Sequence, residues 1–163
     1  MKLIITDIEN FDLTVDGPHR VIKPGEGSPK HCIGCFGCWI KTPGICVIHD
    51  GFERTGIDLG KCTEFIVISR CCYGCTSPFV KNVIDRAISY VHPDLVIREG
   101  EMHHRHRYDN KIELSYYFYG PDILAAEKDA AKRVARGNAI NFDGTLKHIS
   151  FHSSESELEG IIL

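Results

Sequence analysis

No apolar run in this chain of 163 residues approaches the roughly 20 residues that a helix needs to cross a bilayer, so no membrane role is expected. Positive charge is not in excess: 19 Lys and Arg stand against 22 Asp and Glu, a formal net charge of −3, which argues against a nucleic-acid surface. Internal repeats and low-complexity tracts are lacking, which leaves a single domain over residues 1–163 as the economical reading. Met1-Lys2 runs straight into the strand-like Leu3-Ile4-Ile5-Thr6 without the pattern of a secretory signal, so the expected location is cytoplasmic. In reducing cytosol, clustered cysteines are more often ligands or redox groups than disulfides.

Cysteine is what the chain does have. Cys32, Cys35, Cys38 and Cys46 form a C-x2-C-x2-C-x7-C array, with Gly34, Gly37 and Gly44 between them to let the backbone turn and Pro43 to block a regular helix. The segment reads as a tight loop whose sulfurs either share one inorganic centre or serve redox chemistry. Structural zinc prefers two separated C-x2-C pairs, and the second cluster, Cys71, Cys72 and Cys75, has poor spacing for that. Three cysteines at intervals of three followed by a fourth better suit the corners of a [4Fe–4S] cubane, although Cys46 is displaced from the common short spacings. The bland alternative is that these thiols pack as small buried hydrophobes.

Short strand-like runs alternate with helical ones. Leu3 to Thr6 opens as a buried strand, and Asp16 to Lys30 reads as irregular connection. A weak helix is expected within Phe52 to Lys61. Glu64 to Ser69 is the clearest strand, continuous and β-branched like those buried on both faces of a parallel sheet. Ser77 as N-cap and Pro78 in the first turn start a helix whose apolar face runs Phe79, Val80, Val83, Ile84, Ala87, Ile88 and Val91. A histidine-rich segment, Arg98 to Asn110, precedes a strand through Ile112, Leu114, Tyr116 and Phe118. Asp122 is expected to cap a helix to about Gly137, and Leu146 to His152 supplies a last strand. This order predicts an α/β open parallel sheet with helices on both faces, three layers in all, with the Phe65 to Ser69 strand central.

Ligands of such sheets bind beyond the carboxyl ends of the strands, which makes Ser69, Arg70, Cys71, Cys72, Tyr73, Gly74 and Cys75 the default cofactor-binding loop. Its amides, glycine, aromatic ring and thiols suit a flat, heteroatom-rich ligand.

The stretch Cys32 to Asp50, with its Cys-Ile-Gly-Cys and Trp-x-Lys-Thr-Pro-Gly-x-Cys elements, resembles the cysteine loop of flavodoxin-like NAD(P)H-dependent FMN reductases, and its spacing resembles that of the iron–sulfur flavoproteins among them. Ile68 to Arg86 is similar to the strand, flavin loop and following helix of the same family. The resemblance implies a flavodoxin-like fold, bound FMN along Ser69 to Ser77 with Tyr73 near the ring, and electron transfer from NAD(P)H to a small-molecule acceptor. Arg70 stands where the family usually has proline and Cys72 where it has tyrosine. An Arg70 guanidinium near the flavin would stabilise the anionic reduced ring. After the cysteine loop only Asp50 remains of an acidic pair.

Family members begin with a strand, a phosphate loop and a long helix, whereas this chain reads as beginning at their second strand. Gly25 to Lys30 has the residue types of a phosphate loop but reads as a surface turn with no helix after it. His103, His104 and His106, interleaved with Arg105, read as a solvated basic loop able to attract a phosphate rather than as metal ligands. Two functions follow: an FMN-dependent oxidoreductase, or a non-catalytic electron-transfer or partner subunit holding an iron–sulfur cluster or half a flavin site. A borrowed phosphate site would require a homodimer or higher oligomer, or a partner flavoprotein subunit, with Arg105, Arg107 or Lys30 of a neighbouring subunit as the nearest cations.

Overall fold

The computed structural model describes every residue except Phe11, Leu13 and Glu26. Five strands form one parallel sheet: β1 (Lys2–Thr6), β2 (His19–Ile22), β3 (Glu64–Arg70), β6 (Glu113–Tyr119) and β7 (Thr145–His152), in the order β2-β1-β3-β6-β7. A separate antiparallel hairpin, β4 (Val91–Arg98) and β5 (Glu101–His106), is inserted before β6. The helices are α1 (Gly37–Ile40), α2 (Thr55–Lys61), α3 (Pro78–Arg86) and α4 (Ala125–Asn141), with one-turn 3-10 segments at Ala87–Tyr90 and Glu155–Leu158. Counted without the hairpin, the strand order is 2-1-3-4-5, that of flavodoxin-like sheets, with β3 central.

The sheet is buried on both faces because its strands alternate two apolar sets. Leu3, Ile5, Phe65, Val67, Leu114, Tyr116 and Phe118 face Leu59 of α2, Val80 and Val83 of α3 and Ala131, Ala135 and Ala139 of α4. Ile4, Ile66, Ile68 and Tyr119 form a smaller cluster on the opposite face with Leu158 of the last 3-10 turn and Leu163. The two faces are thus covered unequally, one by three α-helices and the other by the C-terminal 3-10 turn, its extended tail and the β1–β2 connection. The sheet is open, parallel and flanked on both faces.

Several boundaries differ from the sequence-based expectation. β1 lies inside the sheet, paired with both β2 and β3, and so holds the first-strand position of a 2-1-3-4-5 order rather than the second-strand position expected. None of the described residues between β1 and β2 is helical, and β2 lies inside the stretch expected to be irregular. α3 stops at Arg86, and Val91 already belongs to β4, because Pro93 and the β-branched run behind it favour extended backbone. Ser77 occupies the N-cap of α3 but makes no capping bond with its side chain. α4 starts at Ala125 rather than beside Asp122, its first turn fixed by Glu127, whose carboxylate accepts from the Leu124 N–H at 2.9 Å, and it runs four residues past Gly137. The histidine segment is strand β5, not a solvated loop. His103 contacts Asn141, His104 the Trp39 ring and His106 the Tyr90 ring and Asp143.

Candidate functional site

The four-cysteine segment folds back along α3. Phe36 at φ 56° and Gly34 at φ 64° turn the chain into the single helical turn α1, which ends before Pro43, and the Gly44 N–H returns to the Cys38 carbonyl at 3.0 Å. Cys32, Cys35, Cys38 and Cys46 all line one pocket of about 80 Å³. Its remaining wall is largely apolar, with Ile33, Phe36, Trp39, Ile48 and Ile88. Cys38 and Cys46 are buried at its base, while Cys32 and Cys35 are exposed at its mouth. Burial, together with the neighbouring Cys46, Cys32 and Cys35 sulfurs, pushes the Cys38 thiol up.

Behind the pocket stands Arg86, whose side chain is fully buried. Its Nε donates to Cys46 Sγ at 3.1 Å, Nη1 to the Lys30 carbonyl at 3.0 Å and Asp50 Oδ2 at 2.7 Å, and Nη2 to the Ile48 carbonyl at 2.9 Å and Asp50 Oδ1 at 3.0 Å. Asp50 also accepts the N–H of Lys30 at 2.9 Å and of Phe52 at 3.2 Å. Burial alone would push the Asp50 carboxyl up, but the guanidinium and these two N–H groups outweigh it and hold it below the usual carboxylate range. One cation therefore neutralises Asp50, pins both ends of the cysteine segment and presents an N–H to a sulfur.

Among the described residues no three His, Cys, Asp or Glu side chains converge as they would on one metal ion. A tetrahedral ion at about 2.3 Å from each thiolate needs sulfurs under about 4 Å apart. A polynuclear cluster brings its own sulfides and takes its cysteines at separate corners of a shared pocket, and all four cysteines line one pocket here.

The loop expected to hold a flavin is at the other end of α3, nine residues or about 13 Å along the helix. The structure therefore does not bring Ser69 to Cys75 together with the four-cysteine pocket. Within that loop four main-chain N–H groups are already engaged: the Arg70 N–H donates to Asp7, the Cys71 N–H to the Tyr119 carbonyl, and Cys72 and Cys75 exchange N–H bonds with each other. The Ser69 hydroxyl accepts from the Ser77 N–H at 2.8 Å. Tyr73 is 95% exposed.

The flavin phosphate fits these residues poorly. In an open sheet the phosphate crevice lies where the strand order reverses, here at the carboxyl ends of β1 and β3. That position holds a carboxylate: Asp7 accepts from the Arg70 N–H and, at 3.1 Å, from the Tyr119 hydroxyl. Among the described residues no helix follows β1 before β2 to supply N–H groups or a positive dipole end. Gly25 to Lys30 gives no substitute. Glu26 lies outside the described residues, no helix begins until Gly37, and the Lys30 main chain is taken by Asp50 and Arg86.

Arg86 and Asp7 are the two residues that the motif reading missed. Arg86 was open to detection, because it lies three residues after Val83 on the face of α3 that is otherwise apolar, where a charge needs a partner. Asp7 carries no such signal, since an acidic residue after a strand is ordinary.

Fold and site together define an α/β open-sheet protein with a cysteine-lined, arginine-backed pocket beside α3 and without a phosphate cradle. No family model matches the chain, and no curated protein matches its sequence. No helix among the described residues is long and apolar enough to cross a membrane.

Proposed function

We propose that this chain is an electron-transfer protein whose redox centre is a [4Fe–4S]-type cluster ligated by Cys32, Cys35, Cys38 and Cys46. The observation that carries this reading is that four cysteines surround one largely apolar pocket with the Arg86 N–H directed at one of the sulfurs. A cluster bound there supplies one-electron chemistry.

The chain's own residues supply the rest. Arg86, donating to Cys46 Sγ, stabilises negative charge added nearby, which raises a reduction potential. Trp39, Ile48 and Ile88 keep water from the base of the pocket. Ile33 and Phe36 are 62% and 57% exposed beside Cys32 and Cys35 and form an apolar collar on which a partner flavoprotein docks to exchange electrons. FMN is not assigned to this chain, because the crevice that would take its phosphate holds Asp7.

Iron incorporation tests the reading. Protein reconstituted anaerobically with iron and sulfide should take up a cluster, and serine at Cys32, Cys35, Cys38 or Cys46 should each cut the iron bound, whereas Cys62→Ala should not. Cys62 is buried in the helical-face core and donates to the Leu59 carbonyl, remote in role from the pocket. Iron uptake indifferent to the four replacements would overturn the assignment.

A further inference from the structure

The second cysteine cluster has a geometry of its own. Cys72 and Cys75 face each other across a two-residue turn, their main chains exchanging both hydrogen bonds, Cys72 N–H to the Cys75 carbonyl at 2.8 Å and Cys75 N–H to the Cys72 carbonyl at 2.9 Å. Residues opposed in such a pair have Cα atoms about 5.5 Å apart, within the roughly 4.4–6.8 Å that a disulfide spans.

The fold fixes this geometry. Tyr73 at φ 51° and Gly74 at φ 77° are the two left-handed residues that a tight hairpin turn of this hand requires. Gly74 lies against α4, where an added Cβ would meet Ala130 Cβ at 2.6 Å and the Glu127 carbonyl oxygen at 2.8 Å. Cys71 is engaged elsewhere, its sulfur accepting the Gly74 N–H. Its N–H continues the β3–β6 ladder to Tyr119, successive side chains of an extended segment point to opposite sides, and its own side chain packs on the core. Cys72 and Cys75 are both half-buried free thiols, within reach of solvent behind the exposed Tyr73.

We propose that Cys72 and Cys75 are a dithiol–disulfide couple that exchanges electrons with low-molecular-weight disulfides. One of the two sulfurs, as thiolate, attacks a sulfur of the external disulfide. That S–S bond breaks, a mixed disulfide forms and the first small thiol leaves with a proton. The other cysteine, as thiolate, attacks the protein sulfur of the mixed disulfide, the Cys72–Cys75 bond forms and the second thiol is released. Two electrons pass from the pair to the external disulfide, and no further reactant is needed. A bond closing so short and accessible a turn belongs with labile, exchangeable disulfides rather than structural ones. The half-buried sulfurs admit a small disulfide more readily than one set in a protein surface. This site is independent of the proposed cluster, which lies at the opposite end of α3.

The experiment is equilibration of the reduced full-length chain with mixtures of reduced and oxidised glutathione, followed by acid quench, alkylation and peptide mass analysis. Arg70 and Lys81 bracket Cys71, Cys72 and Cys75 in one tryptic peptide. The expected result is a peptide that loses two hydrogens in a single equilibrium and keeps one alkylated cysteine, Cys71. Cys71→Ser should retain the transition, and Cys72→Ser or Cys75→Ser should abolish it and accumulate a glutathione adduct on the remaining cysteine. Glutathione adducts on the wild-type pair without an internal bond, a bond that includes Cys71, or a pair that stays reduced in every mixture would each overturn the proposal. None of these readouts involves iron, so loss of the cluster assignment leaves them unaffected.

Discussion

Arg86 is charged, fully buried, and has all its nitrogens hydrogen-bonded to Asp50, Cys46, Lys30 and Ile48. Replacing it leaves a buried carboxylate without its counter-charge, a change that costs about 3–5 kcal/mol. Arg86→Met is therefore expected to lower stability by that amount in urea denaturation, and Asp50→Asn added to it should recover part of the loss by removing the orphaned charge. Gly74 is the second single-residue test. At φ 77°, with Ala130 and Glu127 against it, a methyl group meets both backbone strain and collision. Gly74→Ala should cost about 1–2 kcal/mol or more and lower the melting midpoint by roughly 2–8 °C in calorimetry. Tyr73, 95% exposed, should tolerate alanine within about 0.5 kcal/mol.

Among the elements, the β4–β5 hairpin is the one whose attachment rests on charge. Asp143 lies 2.8 Å from Lys111, 3.7 Å from His106 and 3.9 Å from Arg98, and so ties the hairpin to the end of α4. Burial alone would push the Asp143 carboxyl up, but Lys111, His106 and Arg98 outweigh it and hold it below its ordinary value. Burial holds the His106 imidazole below its own ordinary value. Both shifts have the same sign for stability. The Asp143 contribution is complete above about pH 3.9 and lost as pH falls through its folded value, and the His106 contribution begins to be lost below about pH 6.5. Trp39 is the sole tryptophan and packs on His104 of β5 at 4.8 Å, so its fluorescence should report the hairpin loosening in these two windows. Asp143→Asn should weaken docking by about 0.5–1 kcal/mol and remove the lower window.

The elements also differ in how plainly the sequence specifies them. β3, β6, β7 and α3 were legible because an unbroken β-branched run or a regular apolar stripe encodes burial directly. β2 was not, since four residues with only Ile22 fully buried give no periodicity, and their pairing depends on β1 alone. The hairpin was hidden by its composition: His103, His104 and His106 read as solvated until the rings of Trp39 and Tyr90 cover them. Within the site, the four closely spaced cysteines line one pocket, but their spacing holds no information about the buried arginine behind it.

At the scale of the whole molecule, the sheet keeps a flavodoxin-like strand order while the crevice at its switch point is closed by a carboxylate. Asp7 bridges the Arg70 N–H and the Tyr119 hydroxyl across three strand ends, and none of the described residues between β1 and β2 is helical. The four cysteines line a pocket on the flank of α3, away from the strand ends. The most direct test is the visible absorption spectrum of protein purified and kept without oxygen. The expected spectrum is a broad iron–sulfur charge-transfer band that bleaches on reduction and is lost when any of Cys32, Cys35, Cys38 or Cys46 is serine. A two-banded flavin spectrum, or a protein that stays colourless after iron and sulfide are supplied, would contradict it.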